Sequence, residues 1–214
     1  MPDKLDAQRA LIFRIVHRDN LRWILDNGIH CGNSANRDPS YVSIGNPDLI
    51  SHRKAKPIPI QPGGTLSDYV PFYFTPYSPM LLNIKSGRNG ITRRSNEEIV
   101  IVVSSLHRLK ALNVSFVFSD RHAYASTACF YSDLSDLNQV DWTILRNRDF
   151  RRDVNDPGKV ERYQAEALVY QCCPIAAILG IGCFTGAVKQ SLDLLANERN
   201  VIVKTTVQSG WYFS

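Results

Sequence analysis

The chain has 214 residues, 44% of them hydrophobic and 21% charged, the proportions of an ordinary soluble globular protein long enough to bury a core within one domain. Its net charge of +5 suits a polyanionic partner without requiring one. No apolar run approaches the ~20 residues that cross a bilayer. The odd set of five cysteines (Cys31, Cys129, Cys172, Cys173, Cys183) has no CxxC and no zinc-ligand spacing, which disfavours a disulfide framework and a metal site.

The opening residues Met1–Asp6 lack a basic segment followed by an apolar one, so the expectation is a cytoplasmic protein with no membrane association. Leu11–Val16 is rich in branched and aromatic residues and reads as a strand. Asp19 or Asn20 can cap a following helix that carries Leu21, Ile24 and Leu25, and Asn27-Gly28 supplies a left-handed stop. From Cys31 to Gly64 the chain is polar and broken by five prolines, a loop too long for a simple connector. Tyr69–Phe74 is a second strand, in which Pro71 suggests an edge or a bulge.

Ile99–Val103 reads as a buried strand, Leu106–Leu112 as a short helix and Val114–Phe118 as another strand. A loop-rich stretch then runs from Ser119 to about Arg162. Its basic residues Arg146, Arg148, Arg151, Arg152, Lys159 and Arg162 face four acids, so it is either a polyanion-binding segment or a solvated loop with internal ion pairs. An apolar stretch at Ile175–Phe184, a helix near Ala187–Asn197 and a last strand at Val201–Val207 complete a mixed α+β pattern without repeats or dividing linkers.

Glu166 stands out. It is a lone acid in the alternating run Gln164–Tyr170, with Gln164, Glu166, Leu168 and Tyr170 on one strand face. A carboxylate there belongs either on a solvated edge or in a cleft built for it, because burying an unpaired charge costs several kcal/mol. Rossmann and P-loop glycine motifs, GxSxG and HExxH are absent, so nucleotide chemistry would need another type of site.

Five blocks in order carry a resemblance: Phe13–Leu21 closed by Ile24–Gly28; Ile44–Ile50 followed by Arg53; Asp68–Phe74 with Ser78–Leu81; Phe118–Asp120; and Gln164–Glu166. Together they resemble the DNA ADP-ribosyltransferase toxins of the DarT family. The resemblance implies a single ADP-ribosyltransferase domain over 1–214, with a split central β-sheet and flanking helices that clamp NAD+. It implies a toxin of a toxin–antitoxin pair that transfers ADP-ribose to a base, typically thymine, in single-stranded DNA, with a macrodomain antitoxin as partner. Two positions depart from the family pattern: Arg14 replaces a histidine often used in the donor site, and Tyr77 stands where an arginine is common.

By the same resemblance, Glu166 would hydrogen-bond the nicotinamide-ribose 2′-OH as the C1′–N bond opens through an oxocarbenium-like state. Arg53 would join it in catalysis and in holding the donor; a guanidinium stays protonated, so its role is to stabilise a developing imidate rather than to act as a base. A plain phosphate contact is the other task open to Arg53. Arg14, Ile15, Val16, His17 and Asn20 would form the donor site, Ile15 through main-chain groups, although Ile15 and Val16 also suit a strand core and His17 suits a helix start. His52 adjoins Arg53. Residues 37–55 would fold over the donor, and 119–166 would form the acceptor-side loop ending in the catalytic strand. Arg121, His122, Tyr124, Arg146, Arg148 and Arg151 offer the cationic and planar groups that single-stranded DNA needs. The alternatives are a transferase acting on protein or RNA, and a non-catalytic nucleic-acid-binding module.

Overall fold

The structure, a computed structural model, describes residues 5–88 and 90–214; Met1–Lys4, most of the opening stretch considered above, and Asn89 lie outside the described residues. Strand β1 (Leu11–His17) pairs along its whole length with a later strand, Ile99–Ser105, from Leu11 opposite Ser105 to His17 opposite Ile99. Between them in sequence come α1 (Leu21–Asn27), the two-residue β2 (Ile29–His30), α2 (Pro47–Arg53), β3 (Tyr69–Tyr73) and α3 (Pro79–Ser86). Ile99–Ser105 is therefore β4, followed by α4 (Leu106–Ala111), β5 (Phe116–Ser119), β6 (Phe130–Tyr131), α5 (Trp142–Asn147) and α6 (Lys159–Arg162). The chain ends with β7 (Glu166–Tyr170), β8 (Cys172–Cys173), β9 (Gly180–Cys183), α7 (Gly186–Glu198) and β10 (Thr205–Val207). The result is an α+β fold.

Eight strands form one sheet in the order β10-β9-β4-β1-β3-β7-β5-β6, while β2 pairs with β8. The sheet is split at its middle. β1 and β3 meet at a single residue pair, Phe13 opposite Tyr73, whereas β3 and β7 pair over five residues, from Tyr69–Tyr170 to Tyr73–Glu166. Pro71 explains part of this: it has no N–H to offer β1, and its carbonyl instead accepts from Arg14 Nη1 at 2.8 Å. Pro71 thus lies in an interior strand facing the open junction, not on a sheet edge. A side chain bridges where a ladder bond would have run.

The half-sheet β3-β7-β5 has two apolar faces. Val70, Phe72, Ala167 and Val169 join the main core, while Tyr69, Leu168 and Val117 pack with Ile58, Leu66 and Ala123 in a second cluster. Strand alternation puts Glu166 on the second face, as the sequence pattern predicts.

The helices follow local chemistry. Asn46 Oδ1 accepts from Leu49 N at 3.0 Å and Pro47 occupies the first turn of α2, which makes a helix start inside the stretch expected to be loop. The 119–162 stretch likewise holds β6, α5 and α6, with Asp141 capping α5. Val188, Leu192 and Ala196 bury one side of α7. The last strand is shorter than expected, starting at Thr205. Gly28 ends α1 at φ +80°, where an added Cβ would also lie 2.7 Å from Cys173 O.

Trp211 packs on β9 and meets Phe13 edge-on at 5.4 Å between ring centroids. A Cβ at Gly182 would overlap its ring. Gly182→Ala is therefore expected to cost about 2 kcal/mol through overpacking, read as a lowered denaturant midpoint with unchanged slope.

Candidate active site

A cleft of about 520 Å³ opens along the junction between the half-sheets, with Arg14 and Ile15 on one wall, Pro71 and Tyr73 on the other, and Arg53 and Glu166 in its lining. Glu166 is the first residue of β7 and lies opposite Tyr73, which in turn pairs with Phe13. One tyrosine thus separates the junction of the sheet from the carboxylate.

Glu166 is 2% exposed. Arg53, the last residue of α2, donates from Nη1 to Oε2 at 2.9 Å and to Oε1 at 3.3 Å. Ala123 N donates to Oε1 at 3.0 Å, and His122 Nε2 lies 3.8 Å from the same oxygen. Burial is the largest single influence on this carboxyl and pushes its titration up. The Arg53 charge, His122 and the hydrogen bonds from Ala123 and Arg53 together outweigh burial and hold it below the ordinary value. The group is an anion at neutral pH.

The strand start is anchored as well. Ser119 Oγ accepts from Glu166 N at 3.3 Å and donates to Arg121 O at 2.6 Å, which ties the turn after β5 to β7. Burial first, and the Glu166 charge second, raise the Tyr73 phenol well above its usual range. It remains a neutral hydroxyl, 3.7 Å from Met80 Sδ. Arg53 Nη2 is buried without a hydrogen-bond partner, as is Arg14 Nε. Both are donors beside the cleft.

Of the residues expected at the donor site, Arg14 and Ile15 line the cleft while Val16, His17 and Asn20 do not. Val16 is buried in the main core. His17 Nδ1 accepts from Asp19 N at 3.3 Å, capping the turn that leads into α1. Asn20 acts on the 37–55 stretch instead: its amide donates to Val42 O at 2.9 Å and accepts from Val42 N at 2.8 Å. It holds that stretch as a neighbouring strand would.

Of the residues expected to meet nucleic acid, His122 lines the cleft, and Tyr124 stacks on His52 at 5.9 Å with 16° between the rings. That stack links α2 to the turn after β5. Arg121 is paired with Asp120 at 2.9 Å. Arg146 donates to Leu5 O, and Arg148 donates to Gly210 O with its guanidinium 4.6 Å from the Tyr77 ring centroid. Arg151 contacts only its neighbour Asp149 among the described pairs and is 90% exposed. Lys159 and Arg162 are bound to Asp149, Asp153, Asp156 and Asp141, the internal pairing that the charge pattern allowed.

Sequence reasoning missed Ala123, whose contribution is a main-chain N–H, and the Asn20–Val42 clamp, and it placed Ser119 in a resemblance block without its role at the start of β7. Asn46-Pro47 was a legible signal for α2; the other three depend on tertiary register. Among the described residues no group of His, Cys, Asp and Glu is arranged to hold a metal, and no helix is long and apolar enough to cross a membrane.

Residues 13–213 match the family model described as ssDNA thymidine ADP-ribosyltransferase, DarT. A DNA ADP-ribosyl transferase of Escherichia coli O127:H6 (strain E2348/69 / EPEC) is 56% identical over 210 residues, covering 98% of this chain and 96% of that protein. One from Thermus sp. (strain 2.9) is 36% identical over 204 residues, covering 94% of this chain and 95% of that one. Among solved structures, Thermus sp. 2.9 DarT in complex with ADP-ribosylated ssDNA aligns at a TM-score of 0.89 and 31% identity, covering 96% of this chain and 97% of that chain. The same protein in complex with NAD+ aligns at a TM-score of 0.84 and 31% identity, covering 96% and 98%.

The ion pair sets a pH dependence. The folded carboxyl of Glu166 titrates below its ordinary value of 4.5, so its ionised form contributes stability that is complete above that value and is lost as pH falls through the folded pKa. Glu166→Gln leaves Arg53 buried without its counter-ion, and the variant should be less stable by about 3 kcal/mol at neutral pH. Urea denaturation from pH 7 to pH 3 should show the gap between wild type and variant closing below 4.5; a gap independent of pH would refute this account.

Proposed function

The chain belongs to the DarT family of single-stranded-DNA thymidine ADP-ribosyltransferases, and on that footing we propose how its own residues carry out the reaction. The protein is an NAD+-dependent DNA ADP-ribosyltransferase. The single observation that carries the residue assignment is the buried, ionised Glu166 facing a cleft at the split of the sheet. The cleft is of ligand-binding size, and its unpartnered donor Arg14 Nε suits a carbonyl or phosphate oxygen of NAD+.

Glu166 accepts a hydrogen bond from the 2′-OH of the nicotinamide ribose. As the C1′–N bond lengthens, positive charge grows on the ring and that hydrogen bond strengthens, so the carboxylate favours the transition state over the ground state. The group is suited to this because it is held as an anion and fixed by a strand rather than a loop. Arg53 keeps the carboxylate oriented and presents Nη2 to the acceptor side, where negative charge develops on an imide base that loses its N–H proton. Ile15 offers main-chain groups to the carboxamide, and Asn20 acts through the loop it clamps.

The acceptor is thymine in single-stranded DNA, met by the turn at 121–124. The wider reading is a toxin acting on DNA in the cytoplasm with a macrodomain antitoxin as partner, supported by the need of a host-toxic transferase for restraint.

Incubation with labelled NAD+ and a panel of short oligonucleotides tests the reading. Glu166→Ala should lower DNA modification by on the order of 1,000-fold or more, and label appearing on protein but never on oligonucleotide would overturn the acceptor assignment. Arg53→Ala should reduce modification far more than oligonucleotide affinity, and equal losses in both would show that Arg53 only binds. Oligonucleotide affinity should fall with salt as counterions are released.

A further inference from the structure

The two walls of the cleft belong to different halves of the sheet, Arg14 and Ile15 to β1 and Glu166 to β7. β1 and β3 share a single residue pair, Phe13 opposite Tyr73, and one pair leaves the angle between the halves free. A second connection runs through the residues after β10. Trp211 lies against Gly182 of β9 and meets Phe13 of β1 edge-on. The Tyr212 hydroxyl is 3.1 Å from Ile99 O and 3.2 Å from Gly182 O, two carbonyls to which it can donate. Asn96, at the entry to β4, donates from Nδ2 to Phe213 O at 2.8 Å. All of these contacts fasten the segment to the β9-β4-β1 half.

The Phe213 ring crosses to the other half. It packs on Tyr77 at 3.9 Å between ring centroids, with 31° between the planes. Tyr77 follows β3 and directly precedes Ser78, the cap of α3, whose Met80 lines the cleft. Tyr77 is gripped from the β7 side too: the Tyr163 hydroxyl donates to Tyr77 O at 2.7 Å, and Tyr163 leads into Glu166 through only two residues. Arg148 closes the set, its guanidinium 4.6 Å from the Tyr77 ring centroid while Nη1 donates to Gly210 O at 2.9 Å. Phe150 packs against Tyr77, Tyr163 and Phe213. Neither Tyr77 nor Phe213 lines the cleft.

Resting on the reading of this cleft as the NAD+ site, we propose that Phe213 is a positioning residue for ADP-ribose transfer. Its ring, packed on Tyr77, braces the two half-sheets at the separation at which one NAD+ molecule meets both walls. A donor held by β1 at one end and by Glu166 at its ribose tolerates little play between the two, since a displacement of about 1 Å can cost on the order of 100-fold in rate. Phe213 is suited to the task because its main chain is fixed to one half and its ring to the other. Flat rings in contact transmit position, whereas a flexible aliphatic side chain fills the same space without fixing it.

The test is steady-state and single-turnover transfer from NAD+ to an oligonucleotide, measured well below each variant's Tm. Phe213→Ala should lower kcat and raise the KM for NAD+, each by roughly 10-fold. Phe213→Leu keeps the apolar bulk and should recover most of the Tm but little of the kinetic loss, whereas Phe213→Tyr keeps the ring and should stay within about 2-fold of wild type in kcat and KM. Tyr77→Ala should reproduce the kinetic loss of Phe213→Ala, and the double variant should lose no more than about 2-fold beyond either, because the two changes cut one contact. A lowered Tm in Phe213→Ala with kcat and KM unchanged, full kinetic recovery in Phe213→Leu, or fully additive losses in the double variant would overturn the proposal. If Phe213→Ala does not fold, the comparison of Phe213→Leu with Phe213→Tyr decides it. Wild type that transfers no ADP-ribose to any oligonucleotide would instead sink the DNA-transferase reading itself.

Discussion

The ion pair between Arg53 and Glu166 is the constraint around which the rest of the site is arranged. A carboxylate 2% exposed loses several kcal/mol of hydration, and an arginine alone rarely offsets this. Here the second oxygen is shared among a guanidinium, a main-chain N–H and a nearby imidazole. The pair spans 113 residues of sequence, so α2, the turn after β5 and β7 must all be in place before it closes. That requirement accounts for the capping of α2 by Asn46 and for the Ser119 hydroxyl that fixes the first residue of β7.

The second constraint is the opening of the sheet. A continuous ladder between β1 and β3 would have no room for a ligand; the junction narrows instead to Phe13 and Tyr73. Pro71 withholds an N–H on the open side, and Arg14 replaces the missing bond by reaching Pro71 O. Tyr73 belongs to both sides, paired with Phe13 across the junction and with Glu166 across the ladder. The last point of contact between the half-sheets is therefore adjacent to the buried carboxylate. Burial of Ile12, Val16, Val100 and Val102 makes the β1–β4 half a rigid wall on which the cleft can rely.

Much of this was legible in the sequence, and the reasons for the gaps are physical. Glu166 was visible because an acid in an apolar alternating run needs either a solvated edge or a cleft built for it, and the resemblance of the surrounding blocks chose between the two. The strands β1, β4 and β7 and the helix α7 follow from periodicity that tertiary packing reinforces. Pro71 misled because a proline's usual tolerance is at an edge, whereas here the interior junction behaves as an edge. The helix α2 was hidden by the prolines around it, although Asn46-Pro47 is a proper start signal. Val16, His17 and Asn20 share the block expected to form the donor site, yet only Arg14 and Ile15 of that block face the cleft. Ala123 could not have been found: its contribution is a backbone N–H, which any residue but proline supplies.

Charge separates what attracts DNA from what merely looks basic. In the 146–162 stretch Lys159 and Arg162 are bound to four aspartates, and Arg146 and Arg148 donate to main-chain carbonyls at Leu5 and Gly210. Moving those side chains to a phosphate would break contacts already made, so their gain on binding is the difference between two interactions of similar strength. Arg151, 90% exposed, carries no such penalty. Tyr124 already stacks on His52, and a stacked ring can exchange one aromatic partner for another at little cost. On that ground the exposed rim of the 119–162 stretch, rather than its ion-paired interior, has the least to lose on meeting a polyanion.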